Sequence, residues 1–265
     1  MQPTTELYES LLFVYEHFND ALFDNELPTI MFTVQRKKGV MGYFAPERWG
    51  DVNGKKCHEI AINPSYLARS RFIEVMQTLV HEMAHCWQFC FGKPGRDYYH
   101  NKEWANKMVS IGLMPSSTGE PGGDITGQNM ADYIIEGGAF HQAFYKLQTD
   151  KNFQMKWVDR MSLPRLFEPV IVNHNAINNS SSTISEVMET EEGELDLNLP
   201  ALSKLFEEYA DTTFSDMVPK DFFIPEVAKR QTRYRYICYG CGVKIYGKPK
   251  LNIRCDDCDT LFTCA

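Results

Sequence analysis

The stretch LVHEMAHCWQFC (79–90) has two histidines four positions apart and a glutamate directly after the first. On an α-helix, residues i and i+4 lie on one face about 6 Å apart along the axis, so His81 and His85 can bind one metal ion. Glu82 lies about 100° around the helix, beside such an ion, which suits a proton acceptor better than a ligand. The alternative is a buried helix with two core histidines, because the bare HExxH pattern also arises by chance.

A third histidine strengthens the metal interpretation. His100 follows His85 by fifteen positions, after a helix-breaking segment, FGKPGRDYY (91–99), that can turn the chain back. Three protein ligands that leave one position open are typical of catalytic zinc. Weaker alternatives for the third ligand are Asp97, Glu103 and His141. The remaining histidines, His17, His58 and His174, lack metal-ligand spacing.

Four cysteines near the C-terminus form two CxxC pairs, Cys238 with Cys241 and Cys255 with Cys258, separated by thirteen residues. Each pair supplies two thiolates, and two pairs complete a tetrahedral zinc site. Because protein fills all four positions, this zinc is expected to be structural. The sequence therefore predicts two zinc ions, one catalytic and one structural.

The charge distribution predicts DNA as a partner of the cysteine module. The net charge of -8 argues against nucleic acid covering the whole surface, but residues 229–254 include eight basic residues and no acidic ones. Basic side chains release counterions from phosphates, and tyrosines can stack on unpaired bases. The residues predicted to bind nucleic acid are Arg233, Arg235, Lys244, Lys248 and Lys250, interleaved with Tyr234, Tyr236, Tyr239 and Tyr246. The alternative is a solvated basic surface.

Composition is that of a globular protein, with 43% apolar and 23% charged residues. No apolar run approaches the roughly 20 residues needed to cross a bilayer. The N-terminal segment lacks a basic region followed by an apolar stretch, so no secretory signal is predicted. We therefore expect a cytoplasmic location, with the nucleoid as the alternative, and no membrane partner. The sequence leaves the oligomeric state open.

Hydrophobic periodicity predicts an α+β protein. Helices are expected at 5–23, from Ser70 as N-cap to Phe91, and from about Asn101 to Gly112. Strands are expected at 29–35, 40–45, 58–64 and 153–157. A loop is expected at 114–128, followed by a strand, a glycine turn and a helix over 131–147.

The sequence predicts three segments: a domain at 1–168, an acidic linker at 169–228 and a cysteine module at 229–265. A short helix is expected within the linker at 202–210. By charge alone, the acidic segment 189–196 could dock on the basic module and mask it.

Several of these motifs resemble the SprT-like family of zinc metallopeptidases. The resemblance depends on HEMAH (81–85), on YYHNKEW (98–104) and on EIAINPSYL (59–67). It continues through 112–140, which is similar to phage- and plasmid-borne members, and ends with a C-terminal zinc ribbon. It covers residues 5–160 and 233–262, with Asn101 where many relatives have glycine. It implies a zincin-like domain of helices on a small sheet and, in eukaryotic relatives including Spartan, cleavage of proteins trapped on DNA.

The predicted function is a zinc-dependent endopeptidase that acts on DNA-associated or DNA-crosslinked proteins. Glu82 is expected to move the proton of the attacking water, and the oxyanion stabiliser is left open among Tyr98, Tyr99 and Tyr133. One alternative is a zinc-stabilised module that binds DNA or protein without hydrolysis. Another is a zinc hydrolase that acts on a non-peptide bond.

Overall fold

The chain divides into two compact units, residues 1–224 and residues 225–265. A computed structural model describes residues 2–67, 70–150, 153, 155–163, 171–172, 219, 221–224 and 233–264. Apart from 171–172, 219 and 221–224, the predicted acidic linker lies outside the described residues. The predicted helix at 202–210 and the acidic segment at 189–196 also lie outside them.

The first unit begins with helix α1, Pro3–Phe23, close to the predicted bounds. Proline fits the first turn because its missing N–H has no intrahelical acceptor there. The helix ends at Phe23, and the C-cap residue Asp24 takes a left-handed conformation with φ 53°. One apolar stripe faces the core and consists of Leu11, Val14, Phe18 and Leu22.

Three strands form the first sheet: β1 (Ile30–Val34), β2 (Gly42–Gly50) and β3 (Lys56–Ile62). Their order is β1-β3-β2, with β1 parallel and β2 antiparallel to the central β3. All three predicted strands are confirmed, although β2 continues beyond residue 45. It does so because a register shift between Ala45 and Trp49 lets Trp49 and Gly50 pair with β3 again.

Helix α2 (Pro64–Leu67) leads into the long helix α3 (Phe72–Phe91). The predicted N-cap, Ser70, is wrong: its hydroxyl donates to the Tyr66 carbonyl at 2.8 Å. Arg71 is the N-cap instead, and Glu74 accepts its backbone N–H in a capping box. The glutamate at this third position satisfies an N–H that no helical carbonyl reaches.

Helix α4 (Lys102–Ser110) is followed by β4 (Leu113–Ser116), β5 (Ala131–Ile135), α5 (Ala139–Thr149) and β6 (Ile171–Val172). The three strands form a second sheet in the order β4-β5-β6. Gly112 turns the chain between α4 and β4 with φ +88°, and its carbonyl accepts the Ile135 N–H at 3.0 Å. This turn joins the second sheet to the end of α4.

Two predictions in this part of the chain are wrong. Residues 114–116 of the predicted loop at 114–128 belong to strand β4. This strand pairs with β5, whose residues follow fifteen or more positions later in the chain. The predicted strand at 153–157 is absent at the described residues 153 and 155–157. Its apolar residues pack instead, with the Phe153 ring stacked on Phe13 at 5.6 Å and on Phe72 at 5.2 Å.

A single hydrophobic core joins α1, the first sheet, α3, α4 and α5. Helices packed on small, partly antiparallel sheets confirm the predicted α+β class. None of the helices in the described part of the chain combines the length and the apolar character that crossing a bilayer requires.

The second unit consists of short strands around the cysteines. They are β7 (Tyr234–Ile237), β8 (Lys244–Gly247), β9 (Arg254–Cys255), β10 (Thr260–Leu261) and β11 (Thr263–Cys264). One sheet has the order β11-β7-β8, and β9 pairs with β10. Tyr236, expected to stack on bases, is buried, and its hydroxyl donates to the Lys248 carbonyl and accepts the Leu251 N–H. That prediction is wrong, because this small unit uses the ring as its core.

Candidate functional site

Helix α3 carries the HExxH residues on the border of the core. Its buried face includes Leu79, Val80 and Met83, so the helix is held firmly against the sheet and α1. His81 and His85 lie one turn apart on the neighbouring, half-buried face, with ring centroids 5.1 Å apart. Packing of the apolar face therefore fixes the direction in which both imidazoles point.

A sharp turn brings His100 to these two rings. After α3, the chain passes through a short 3-10 turn in which Asp97 and Tyr98 have φ values of 51° and 63°. His100 then forms a two-way backbone bridge with Gly127, with N–O distances of 2.9 and 3.1 Å. Its ring centroid lies 4.8 Å from that of His85 and 5.6 Å from that of His81.

One ligand atom from each of His81, His85 and His100 lies within 4.8 Å of the others. Three nitrogens this close can move onto one zinc ion at the usual distance of about 2.0–2.1 Å. The weaker candidates for the third ligand are not in this cluster. Glu103 accepts hydrogen bonds from the Lys93 N–H and the Gln88 amide, while the Nδ1 atom of His141 accepts the Gly137 N–H.

Two hydrogen bonds orient the rings. Nδ1 of His81 lies 2.8 Å from the Asp132 carboxylate, and Nδ1 of His100 lies 3.1 Å from the Gly127 carbonyl. Both acceptors hold the proton on Nδ1 and leave Nε2 as the ligand atom of each ring. The Gln77 amide donates to the other Asp132 oxygen and to the Asp132 carbonyl, so the carboxylate is itself held in place. Sequence reasoning missed Asp132 and Gln77, because neither stands at a recognisable spacing from the histidines.

The Trp104 ring packs against all three imidazole rings. Its ring is stacked on His85 at 5.2 Å and meets His81 and His100 edge-on at 5.0 and 4.4 Å. The indole is fully buried in α4, a helix whose N-cap Asn101 accepts the backbone N–H of Trp104 through its side-chain oxygen. Periodicity predicted that Trp104 faces the core but did not place it against the metal cluster.

The Glu82 carboxyl is buried beside β2. Burial raises its pKa, and the nearby charge of His81 and the Phe44 backbone only partly offset this rise. Gly42 lets the strand lie close to α3, because a Cβ there would be only 3.1 Å from Cγ2 of Thr78 and 3.0 Å from the Ala61 carbonyl. Glu82 therefore lies against the strand and outside the three-histidine cluster.

Protonation within the cluster is uneven. Burial, with the charges of His81 and His100, lowers the pKa of His85, and burial lowers that of His100 to about 4. Burial acts in the same direction on His81, but the hydrogen bond and charge of Asp132, together with the charge of Glu82, outweigh it and raise the pKa. Two of the three imidazoles are therefore neutral near pH 7, as a metal ligand must be.

The three tyrosines considered as oxyanion stabilisers differ in their surroundings. Tyr98 is 71% exposed, and Tyr99 is 43% exposed. Tyr133 is buried in β5, directly after the residue that holds His81, and burial raises the pKa of its phenol. All three remain candidates.

The four cysteines of the second unit also converge, with their sulfur atoms within 4.8 Å of one another. Cys241 and Cys255, one from each CxxC pair, have sulfur atoms 3.7 Å apart. The first turn is closed by the Gly242 N–H on the Cys238 carbonyl at 2.7 Å, with φ +77° at Gly242. Four thiol ligands at this spacing fit a closed tetrahedral zinc site.

The basic residues of the second unit lie on its surface. In the β7–β8 hairpin, Arg235 lies opposite Tyr246 and Ile237 lies opposite Lys244. The side chains of Arg235, Lys244 and Tyr246 therefore share one face of the hairpin. Tyr246 and Tyr239 are 67% and 74% exposed. The other predicted residues, Arg233, Lys248 and Lys250, are exposed as well.

Comparisons with known proteins agree with this geometry. A family model described as the SprT-like family matches residues 12–121. The chain is 42% identical over 59 residues to a protein from Salmonella typhimurium described as an uncharacterized protein in the mucB 3' region, a match that covers 22% of this chain and 80% of that protein. No solved structure gives a significant match.

An α+β unit with three converging histidines, two of them from one HExxH helix, is typical of a metallopeptidase-type domain. The chain belongs to the SprT-like family. The residues matched by the family model include all three histidines and Glu82.

Proposed function

We propose that this protein is a zinc-dependent endopeptidase that acts in the cytoplasm on DNA-associated or DNA-crosslinked proteins. The observation that carries the proposal is the convergence of His81, His85 and His100, with the Glu82 carboxylate held beside them. A purely structural zinc site needs four protein ligands and gains nothing from a buried carboxylate next to it. Here three ligands leave one position open.

When bound, zinc supplies Lewis-acid polarisation of the scissile carbonyl and lowers the pKa of water. Glu82 accepts the proton of the attacking water and passes it to the leaving amine. The Phe44 backbone lies beside this carboxylate. Asp132 and the Gly127 carbonyl keep His81 and His100, respectively, in the tautomer that presents Nε2.

The position of β2 supports cleavage within a polypeptide rather than at its end. Strand β2 is an edge strand of the first sheet and contacts the glutamate of the HExxH helix. An extended peptide that pairs with an edge strand can continue in both directions. Binding of this kind recognises backbone more than side chains and therefore suits many substrates.

The hairpin face with Arg235, Lys244 and Tyr246 supports recruitment to DNA. Cations on an exposed hairpin attract phosphates, and an exposed tyrosine can stack on a base. Tethering to DNA raises the local concentration of DNA-bound protein around the peptidase. Selectivity then comes from location more than from a side-chain pocket.

The test compares wild type with Glu82→Gln on two substrates: a protein crosslinked to single-stranded DNA and the same protein free of DNA. We expect cleavage that DNA stimulates and that Glu82→Gln abolishes while the zinc content stays at two per chain. Retained zinc shows that the variant has lost proton transfer and not its metal site. Binding without cleavage in wild type would contradict the proposal and favour the zinc-stabilised binding module.

A further inference from the structure

A buried carboxylate lies on the face of the first sheet opposite to the core. We call this surface the outer sheet face; its residues are Met31, Thr33, Gln35, Tyr43, Trp49 and Glu59. Glu59 is 1% exposed. It accepts hydrogen bonds from the side chains of Thr33, Gln35, Tyr43 and Trp49, with distances between 2.7 and 3.0 Å. Full satisfaction of its oxygens explains how a carboxylate is tolerated there.

Two of these four donors are aromatic rings. The Tyr43 hydroxyl donates to Oε1 of Glu59 and the Trp49 indole N–H donates to Oε2, both at 2.8 Å. Trp49 nevertheless remains 43% exposed. Glu59 thus holds two rings in fixed orientations at the surface. A ring that is already fixed loses little conformational entropy when a flat ligand stacks on it.

The segment that supplies Tyr43 and Trp49 to the outer sheet face is rich in basic residues. Residues 36–56 contain six basic and two acidic side chains in a chain with a net charge of -8. Both acidic groups are engaged: Glu47 pairs with Lys56, and Asp51 accepts the backbone N–H groups of Asn53 and Lys55.

Several of these basic groups have no carboxylate partner among the described residues. Arg36 pairs with Asp159. Within the described part of the chain, Lys37, Lys38 and Arg48 have no carboxylate partner. The Lys37 ammonium lies 5.9 Å from the centroid of the Tyr43 ring. Lys38 directly follows Lys37 in the chain, and Arg48 directly precedes Trp49.

We propose that the outer sheet face binds single-stranded nucleic acid, with bases stacked on Trp49 and Tyr43 and phosphates held by Lys37, Lys38 and Arg48. Fixed aromatic rings interleaved with free cations are the combination that binds unpaired strands. A duplex hides its base faces and cannot use the rings. This surface belongs to the first unit and depends neither on peptide hydrolysis nor on the cysteine module.

The structure offers a matched control for the test. Trp157 is also 43% exposed, and its indole N–H also donates to a carboxylate, Oε2 of Glu6, at 2.7 Å. Residues 225–265 contain no tryptophan, so quenching of tryptophan fluorescence does not report stacking on the cysteine module. The full-length Glu82→Gln protein is titrated with an oligothymidylate at low salt, alone and combined with Trp49→Ala or Trp157→Ala.

We expect quenching that Trp49→Ala removes, with affinity weakened about 5- to 10-fold or more. Trp157→Ala should retain both the quenching and the affinity. The double variant Lys37→Glu and Arg48→Glu, at exposed positions, should weaken binding and flatten its dependence on salt.

Unchanged quenching in Trp49→Ala would overturn the proposal, as would a lack of quenching in the parent. Unfolded β-casein is titrated in the same way. If it quenches the fluorescence at a lower concentration than the oligothymidylate does, the proposal is overturned in favour of a polypeptide ligand.

Discussion

At the scale of single residues, the geometry of the three-histidine cluster depends on groups that lie outside it. Asp132 and the Gly127 carbonyl fix two imidazole tautomers, and Trp104 contacts all three rings. Ligands held in this way need no reorientation when an ion binds, so the affinity is not reduced by the cost of ordering them. The chemistry of the three histidines therefore rests on residues from β5, α4 and the loop before β5.

Asp132→Asn should weaken zinc binding at the three-histidine cluster by about 10- to 100-fold. The amide no longer draws the His81 proton onto Nδ1 and supplies no negative charge to the imidazole. The measurement is competition for zinc with a chelator of known affinity. Asp124→Asn, an exposed change in the loop between β4 and β5, is the control and should leave the affinity unchanged. Equal affinities in the two variants would show that Asp132 does not orient His81.

At the scale of elements, the site is assembled where the two sheets meet the helices. Helix α3 supplies two histidines and Glu82, whereas the second sheet supplies Asp132. The Gly112 turn connects the end of α4 to α5 and to the second sheet, since the Ile111 carbonyl accepts the Phe140 N–H of α5 and the Gly112 carbonyl accepts the Ile135 N–H of β5. Strain at this turn would spread to both elements.

Gly112→Ala should destabilise the first unit by about 2 kcal/mol more than Gly122→Ala. Both glycines have a φ near +88°, which costs any L-residue about 1–2 kcal/mol. A Cβ at Gly112 would lie 2.7 Å from the Phe140 nitrogen, whereas a Cβ at Gly122 meets nothing within 4 Å. Urea denaturation of the two variants isolates the steric contribution. Equal losses of stability would show that the neighbouring backbone yields freely.

At the scale of the whole molecule, the two clusters of candidate metal ligands lie in separate compact units. The three histidines belong to residues 1–224 and the four cysteines to residues 225–265. Each unit has its own buried side chains, with Trp104 in the first and Tyr236 in the second. Loss of one metal is therefore not expected to unfold the other unit.

Cys255→Ser should lower the zinc content from two ions per chain to one. We expect unchanged cleavage of an unstructured protein free of DNA and weakened binding to DNA, because only the second unit loses its metal. Elemental analysis and an assay on free β-casein test this together. Cys264→Ser, outside the cluster of four cysteines, is the control. Loss of both ions in Cys255→Ser would show that the two units fold as one.

The sequence by itself determined the features that depend on local geometry. The i, i+4 spacing places His81 and His85 on one side of a helix in any fold, and a CxxC pair brings its two sulfurs together in any tight turn. The α+β class, the first three strands and helix α3 followed from hydrophobic periodicity for the same reason. The structure also brings His100, predicted from a helix-breaking segment, to the other two histidines.

Only the tertiary structure decided what depends on pairing between distant segments. Asp132 reaches His81 because β5 pairs with β4, and Glu59 gathers Tyr43 and Trp49 because β2 resumes its register after a bulge. The pairing of β4 with β5 also made residues 114–116 part of a strand where composition indicated a loop. Side chains 16 or 51 positions apart have no fixed relation along the chain, so their contacts follow from the packed sheets alone.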